Sequence, residues 1–317
     1  MKKFHIIKKS YIWVVCALAL ALASLFIFLL NAKFSEEFTG GVNVSIIANQ
    51  DPQTIEKSLS TYLTAQGYPA TNIYVNQQDE EMQIKINASL ESDEVVAKLS
   101  SDVQSFLLSQ NIVSSTEDII GQAIIGPSVG SYMKTSAFQA LIVGILLMVI
   151  YMLFAFAKIR KEIPASVLGI SVLSVLIFNV LSTLGAYGVW MMFNSTIQVD
   201  TVFIVAVLTV VAYGVNDVII IFDRIRENIL RNSKEKNLVI GTIIEDSLRQ
   251  TMRRSIGTSL STLVVLIAMF TFGTGVLQQF AFTVGAGVIM STIGSIFLGG
   301  PLSYILMGKF KQEKNKL

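Results

Sequence analysis

Six stretches of this chain are long and apolar enough to cross a bilayer, and nothing else in the sequence constrains its fold so tightly. A spanning helix needs about 20 residues. The stretches run Tyr11–Leu30, Phe138–Ala157, Ala165–Met191, Thr201–Phe222, Ser255–Phe272 and Phe280–Met307. Only 15% of the 317 residues are charged, against roughly 25% in soluble domains. That deficit excludes a soluble globular enzyme and a disordered chain. The single cysteine, Cys16, lies inside the first apolar run and excludes a disulfide scaffold. Lys2, Lys3, Lys8 and Lys9 precede that run in the manner of a signal peptide. The run is longer than the roughly 7–15 residues of a signal core, and Asn31-Ala32-Lys33 makes a poor cleavage site, so a retained anchor is expected.

Charge orients the spans. The N-terminal tail (1–10), the 158–162 turn, the loop 223–254 and the C-terminal tail (308–317) hold 19 of the 24 Lys and Arg. The segment 31–136 between the first two spans holds five, against 13 acidic residues. By the positive-inside rule both termini are expected in the cytoplasm and the long segment outside. Lys85, Lys98 and Lys134 do not oppose this, because long domains translocate largely regardless of charge.

The segment 31–136 reads as a small α+β domain. Val42, Val44 and Ile46 alternate as in a strand. Asp51-Pro52 supplies an N-cap and a first-turn proline, Ile55, Leu59, Tyr62 and Leu63 follow at helical spacing, and Gly67 stops the helix. Ile73 with Val75, then Met82, Ile84 and Ile86, predict two more strands joined by a polar turn over Asn76–Glu81. Ser92 opens a second helix burying Val95, Val96, Leu99, Val103, Phe106 and Leu107, and Ile112-Val113 is expected to begin a last strand. The order β-α-β-β-α-β is the ferredoxin-like arrangement. With no His or Cys in it, a transition-metal site is not expected, and its scattered acids read as a solvated surface.

No nucleotide loop of the G-x-x-x-x-G-K-[ST] type is present, and Gly285-Ala286-Gly287 lies in an apolar span where glycine permits close helix packing. His5 is the one histidine, which excludes a Ser-His-Asp triad. Work done by this chain must draw on a partner or an ion gradient. Asp217 lies 16 residues into the fourth span, about 24 Å along it at roughly 1.5 Å per residue. An acid at that depth is costly and marks a functional site by default, here for proton carriage. The bland alternative is a structural hydrogen-bonding carboxyl, and Asn216 beside it serves either purpose. Asp200, at the outer end, reads as an interfacial acid in water. Arg254, Thr258, Ser261 and Thr262 share one helix face on the fifth span. If the two spans are adjacent, Arg254 moving toward or away from Asp217 would set whether it holds a proton. Otherwise Arg254 is a flanking charge like Arg253, and the hydroxyls bond back to their own helix.

Tyr213-Gly214-Val215-Asn216-Asp217, followed by Asp223-Arg224-Ile225-Arg226-Glu227-Asn228, closely resembles the signature of the SecF family of bacterial protein-export subunits. Phe38-Thr39-Gly40-Gly41 is similar to the family's D-F-T-G-G, with Glu37 for the aspartate. Gly126-Pro127-Ser128-Val129-Gly130, Arg254-Ser255-Ile256-Gly257-Thr258-Ser259, Ser295-Ile296-Phe297 and Pro301-Leu302 extend the match in order. The resemblance implies a polytopic α-helical membrane protein, half of an RND-type transporter, with six transmembrane helices and one extracytoplasmic domain. It implies residence in the cytoplasmic membrane, pairing with a SecD-like subunit and association with the SecYEG channel. It also implies proton-driven assistance to unfolded preproteins, with no enzyme activity, cofactor, metal or nucleic acid. The family's proton residues carry over to Asp217 and Arg254. Departures are Phe178-Asn179 at a common His-Asp pair, Ala212 and Gly214 for Gly and Ser, and Val218 for Thr. Gly126, Pro127 and Gly130 form a candidate hinge through which the outer domain couples to the spans, or an ordinary turn ahead of a helix. A non-transporting assembly factor, whose polar groups only glue helices together, is the alternative function. A small-molecule efflux half fits less well, because the outer segment is small for a substrate porter.

Overall fold

The computed structural model describes residues 5–48, 50–68, 72–78, 81–88, 92–155, 164–194, 196–232 and 239–314. Lys2, Lys3, the expected 158–162 turn, the middle of the expected 223–254 loop and the last three residues lie outside the described residues. In chain order the elements are α1 (Ser10–Asn31), the short α2 (Glu36–Thr39), β1 (Gly41–Ile47), α3 (Pro52–Ala65), β2 (Asn72–Gln78), β3 (Glu81–Asn87), α4 (Asp93–Ser109) and β4 (Ile119–Ile125). Helices α5 (Pro127–Ala155), α6 (Ala165–Phe193), α7 (Thr201–Asn232), α8 (Ile240–Phe272), α9 (Gly275–Gly294) and α10 (Gly300–Lys314) follow. They fall into two units: a sheet unit, Ala32–Ala140 with Trp190–Ile204, and a helical unit made of the rest.

In the sheet unit four strands pair in the order β2-β3-β1-β4, each antiparallel to its neighbour. Val42, Val44, Ile46, Met82, Ile84 and Ile86 are wholly buried on one face, against Ile55, Leu59 and Leu63 of α3 and Val96, Leu99, Val103 and Leu107 of α4. Alternation and the 3.6-residue period therefore converge on one core. Local chemistry fixes the helix ends. The side chains of Asp51 and Ser92 accept from the N–H groups of Thr54 and Val95. Both helices close in the same way: Tyr68 N–H donates to Leu63 O past Gly67 at φ +84°, and Ile112 N–H donates to Leu107 O past Asn111 at φ +54°.

Three expectations are corrected here. Ile112 and Val113 do not start a strand; the Asn111 turn drives them into the core, and the strand forms at Ile119–Ile125. As an edge strand with little burial, β4 lacks the alternation that a sequence pattern reads. Val95 is partly exposed on the first turn of α4. Asn76–Gln78 continue β2 instead of turning, held by pairing with Glu81–Gln83.

Among the described residues six helices are long and apolar enough to span a membrane: Ile7–Asn31, Pro127–Phe154, Ser166–Phe193, Thr201–Asn232, Ile240–Phe272 and Gly275–Gly308. The loop expected over 223–254 is instead largely helix. Ile225, Asn228 and Ile229 on α7, and Ile243, Ile244, Ser247, Leu248 and Thr251 on α8, are buried at helical spacing. Charges on the opposite faces hide that period. Helix α1 packs through Ala17, Ala21, Ser24 and Phe28, and α6 receives it with glycines. A Cβ on Gly188 would lie 2.9 Å from the Phe28 Cα, and one on Gly185 would collide with Ser24. Small residues let membrane helices approach this closely. The last span widens into a π-turn over Ser295–Gly299. Pro301, which lacks an N–H and crowds the Phe297 carbonyl, is its local cause.

Candidate functional site

Asp217 sits midway along α7 with no solvent exposure. Its Oδ2 accepts from Ser291 Oγ at 3.4 Å and Thr292 Oγ1 at 3.2 Å, both on α9. Its Oδ1 has no partner among the described residues. The hydroxyl chain continues to α8, where Ser259 Oγ meets Thr292 Oγ1 at 2.6 Å and accepts from Tyr213 OH at 3.1 Å. Three helices thus converge on one carboxyl through hydroxyl groups alone. A hydroxyl both donates and accepts, so this shell serves the acid and its conjugate base equally. An acid so held can change protonation without losing its neighbours.

The structure does not bring Arg254 or Thr258 to this carboxyl. Both are exposed, and Thr258 Oγ1 donates back to Arg254 O and Ser255 O. Ser261 and Thr262 likewise donate to their own helix. The face of α8 turned inward carries Thr251, Ser255 and Ser259, one residue and about 100° away from the expected one. Asn216 is also exposed, on the side of α7 away from Asp217. Ser291 and Thr292 are not singled out by the sequence, and Tyr213 and Ser259 enter there only as members of the family motifs. Their signal was Ser291 and Ser295 at i, i+4 in an apolar span, and Ser255 and Ser259 beside the residues chosen. Asn179 of α6, also missed as a site residue, is wholly buried nearby.

The other motif residues hold elements together. Asp223 pairs with Arg226 at 3.3 Å, and Arg224 pairs with Glu227. The buried Asn228 donates to Ser247 Oγ at 2.8 Å and Gln250 Oε1 at 3.0 Å, clasping α7 to α8. In the sheet unit Thr39 Oγ1 donates to Ser35 O, and Phe38 is buried. Gly41 has φ +150°, and a Cβ there would strike the Ile86 carbonyl. A Cβ on Gly130 would lie 3.1 Å from Gly40 N and 3.2 Å from the Phe38 carbonyl. One on Gly126 would collide with the Asp93 carboxylate. Of the candidate hinge residues, Gly130 and Pro127 form a tight joint against Phe38–Gly41, where close backbone approach requires glycine at 130, while Gly126 packs against the Asp93 side chain.

A second group of acids lies in the sheet unit. Glu37 Oε2 accepts from Thr201 N–H at 2.7 Å, and Asp200 Oδ1 accepts from Phe203 N–H at 2.8 Å, so two carboxylates cap the start of α7. Asp200 is buried instead of in contact with water. Burial pushes its carboxyl above the ordinary aspartate range, the Phe203 N–H and Lys85 oppose that, and Glu37 and Glu36 add to it. Among the described residues no group of three or more His, Cys, Asp or Glu is arranged to hold a metal.

Residues 108–309 match the C-terminal region of the SecD/SecF protein export membrane proteins. The protein translocase subunit SecF of Desulfurispirillum indicum is 30% identical over 297 residues, 93% of this chain and 88% of its own length. That of Acidaminococcus fermentans is 30% identical over 318 residues, covering 98% and 100%. The crystal structure of SecDF, a translocon-associated membrane protein from Thermus thermophilus, superposes with a TM-score of 0.74 at 23% identity over 96% of this chain. SecDF in a super-membrane-facing form gives 0.66 at 24% over 100%. These likenesses concern the fold, and the chain spans only 39% and 40% of those two structures.

Proposed function

The chain belongs to the SecF family of protein-export membrane proteins, and from that membership we propose that it converts proton movement at Asp217 into assistance for preproteins leaving the cell. The observation that carries this is a carboxyl buried in the bundle and held only by hydroxyls of α9. A charge crossing the membrane potential supplies about 2.3 kcal/mol per 100 mV, which shifts a two-state equilibrium by tens-fold. The sequence carries no G-x-x-x-x-G-K-[ST] loop that would point to a nucleotide as the energy source instead.

The finer reading has four parts. A SecD-like subunit supplies the other half of the membrane domain, in keeping with relatives in which both halves form one longer chain. The pair works beside a SecYEG channel on unfolded preproteins, in contact with membrane lipid. Both termini lie in the cytoplasm, and the sheet unit is an extracytoplasmic domain of ferredoxin-like type, supported by its strand order. Its motion couples to Asp217, with the Phe38–Gly41 and Gly126–Gly130 joint transmitting it as a rigid element.

Asp217→Asn tests the reading, because asparagine keeps a hydrogen-bonding group but cannot release a proton. In vesicles containing the chain with its co-purified partners, the proton-gradient-dependent part of export should disappear while the complex stays assembled. Retained gradient-dependent export would overturn the proposal. Loss of assembly with intact residual export would favour the helix-gluing alternative.

A further inference from the structure

Asn179 is a buried amide whose side chain bonds to none of the described residues. It has no exposure in the middle of α6, and neither its Nδ2 nor its Oδ1 has a partner among the described residues. A carboxamide offers two donors and an acceptor with two lone pairs. In an apolar interior each unmet group costs several kcal/mol. Such a group in a native fold is ordinarily met by ordered water.

Its surroundings form a seat. On one side is Gly214 of α7, where any Cβ would collide with the Asn179 Nδ2. On the other is Gly294 of α9, where a Cβ would lie 2.9 Å from the Asn179 Oδ1. Two glycines on two helices thus let one amide pack directly against their backbones. The same Cβ position on Gly214 lies 3.4 Å from Ser291 Oγ, which donates to Asp217. The unpaired amide and the acid's hydroxyl partner therefore both lie against Gly214, and the Asp217 Oδ1 is itself unpaired among the described residues. Ser171 and Ser182 of α6 add two more buried hydroxyls without partners on the face that carries Asn179. At 11 residues apart they define a polar line about 16 Å long along the helix.

We propose that Asn179 is a positioning residue that anchors a bound water beside Asp217, and that this water hands the proton to the acid. This deepens the proton-carrier reading and rests on it. A hydrated proton arriving there gives its proton to the Asp217 carboxylate and stays as neutral water. Asn179 neither gains nor loses a proton; it fixes the water's oxygen. The groups linked to Asp217 are Ser291 and Thr292 of α9, with Ser259 of α8 and Tyr213 of α7 behind Thr292, and Asn179 of α6 lies with Ser291 against Gly214. No ion pair among the described residues includes Asp217.

The test uses the full chain with its co-purified partners in vesicles, probed by infrared difference spectroscopy in normal and oxygen-18 water, together with proton flux. The wild type should show an isotope-sensitive O–H band of a weakly bonded water that changes as Asp217 is protonated. Asn179→Ala should lose that band and slow proton flux about tenfold, roughly one barrier increment of 1.4 kcal/mol. The isosteric Asn179→Asp should recover most of the band. Gly214→Ala, which displaces the amide without removing it and favours the helix, should lose the band as well. An unchanged band and flux in Asn179→Ala and Gly214→Ala would overturn the proposal. Normal flux in Asp217→Asn would instead sink the carrier reading, while the water band, which needs no transport, still decides the Asn179 site.

Discussion

Asp200 and Asp217 are both buried aspartates at α7, yet their neighbours give them different work. Asp217 meets hydroxyls only, whereas Asp200 caps a helix start beside Glu37, Glu36 and Lys85. Burial raises the Asp200 value in the folded state above that of the unfolded chain, about 3.9. The folded state thus binds the extra proton. Its stability is highest below the unfolded value and falls as pH rises through the window up to the raised folded one. Asp200→Asn should remove that loss, since an asparagine oxygen still accepts from Phe203 N–H. Hydrogen exchange at Thr201 and Phe203 should then be slower than wild type at neutral pH, with the gap closing in acid. Faster exchange at neutral pH would mean that the capping charge outweighs its burial. The burial of Asp217 was legible from its place in the sequence alone. The identity of its partners did not follow, because a one-residue offset on α8 exchanges Arg254 and Thr258 for Ser255 and Ser259.

Helix ends decide much at the scale of elements. Helices α3 and α4 each stop on a residue in the left-handed region, Gly67 and Asn111. Gly67 has open space around its Cβ position, so Gly67→Ala would cost backbone strain alone, about 1 kcal/mol. Asn111→Ala should cost a similar amount and also loosen Ile112 and Val113, which the turn seats in the core. Amide exchange in α3 and α4, respectively, measures both losses. Equal exchange in variant and wild type would show that packing, not the turn, ends these helices. The glycine stop was legible in the sequence and the asparagine stop was not, because asparagine adopts that conformation only where the fold demands it. The same demand moved the last strand from Ile112 to Ile119.

The whole molecule leaves much apolar surface uncovered. In its most apolar window α5 is only 6% buried, against 61% for α6. Lipid or a second membrane chain must cover such a surface, and an active lone chain in vesicles would count against the paired reading. Orientation is checked with impermeant thiol reagents in a chain whose Cys16 has been replaced. A cysteine at Lys57 should react from outside, and one at Glu227 only after permeabilisation; both positions are exposed. The reverse pattern would invert the topology. By itself the sequence determined the six spans, the intervening α+β unit and the buried acid. Those follow from local quantities: hydropathy over a window, alternation along a strand, the cost of a charge in hydrocarbon. Only the tertiary structure decided which helix faces meet. It turned Ser259 rather than Thr258 inward, closed Gly130 against Phe38 and left the Asn179 side chain without a partner among the described residues. Such outcomes depend on the rotation of each helix about its axis. Spans that are apolar on every side do not encode that rotation, and packing between neighbours sets it.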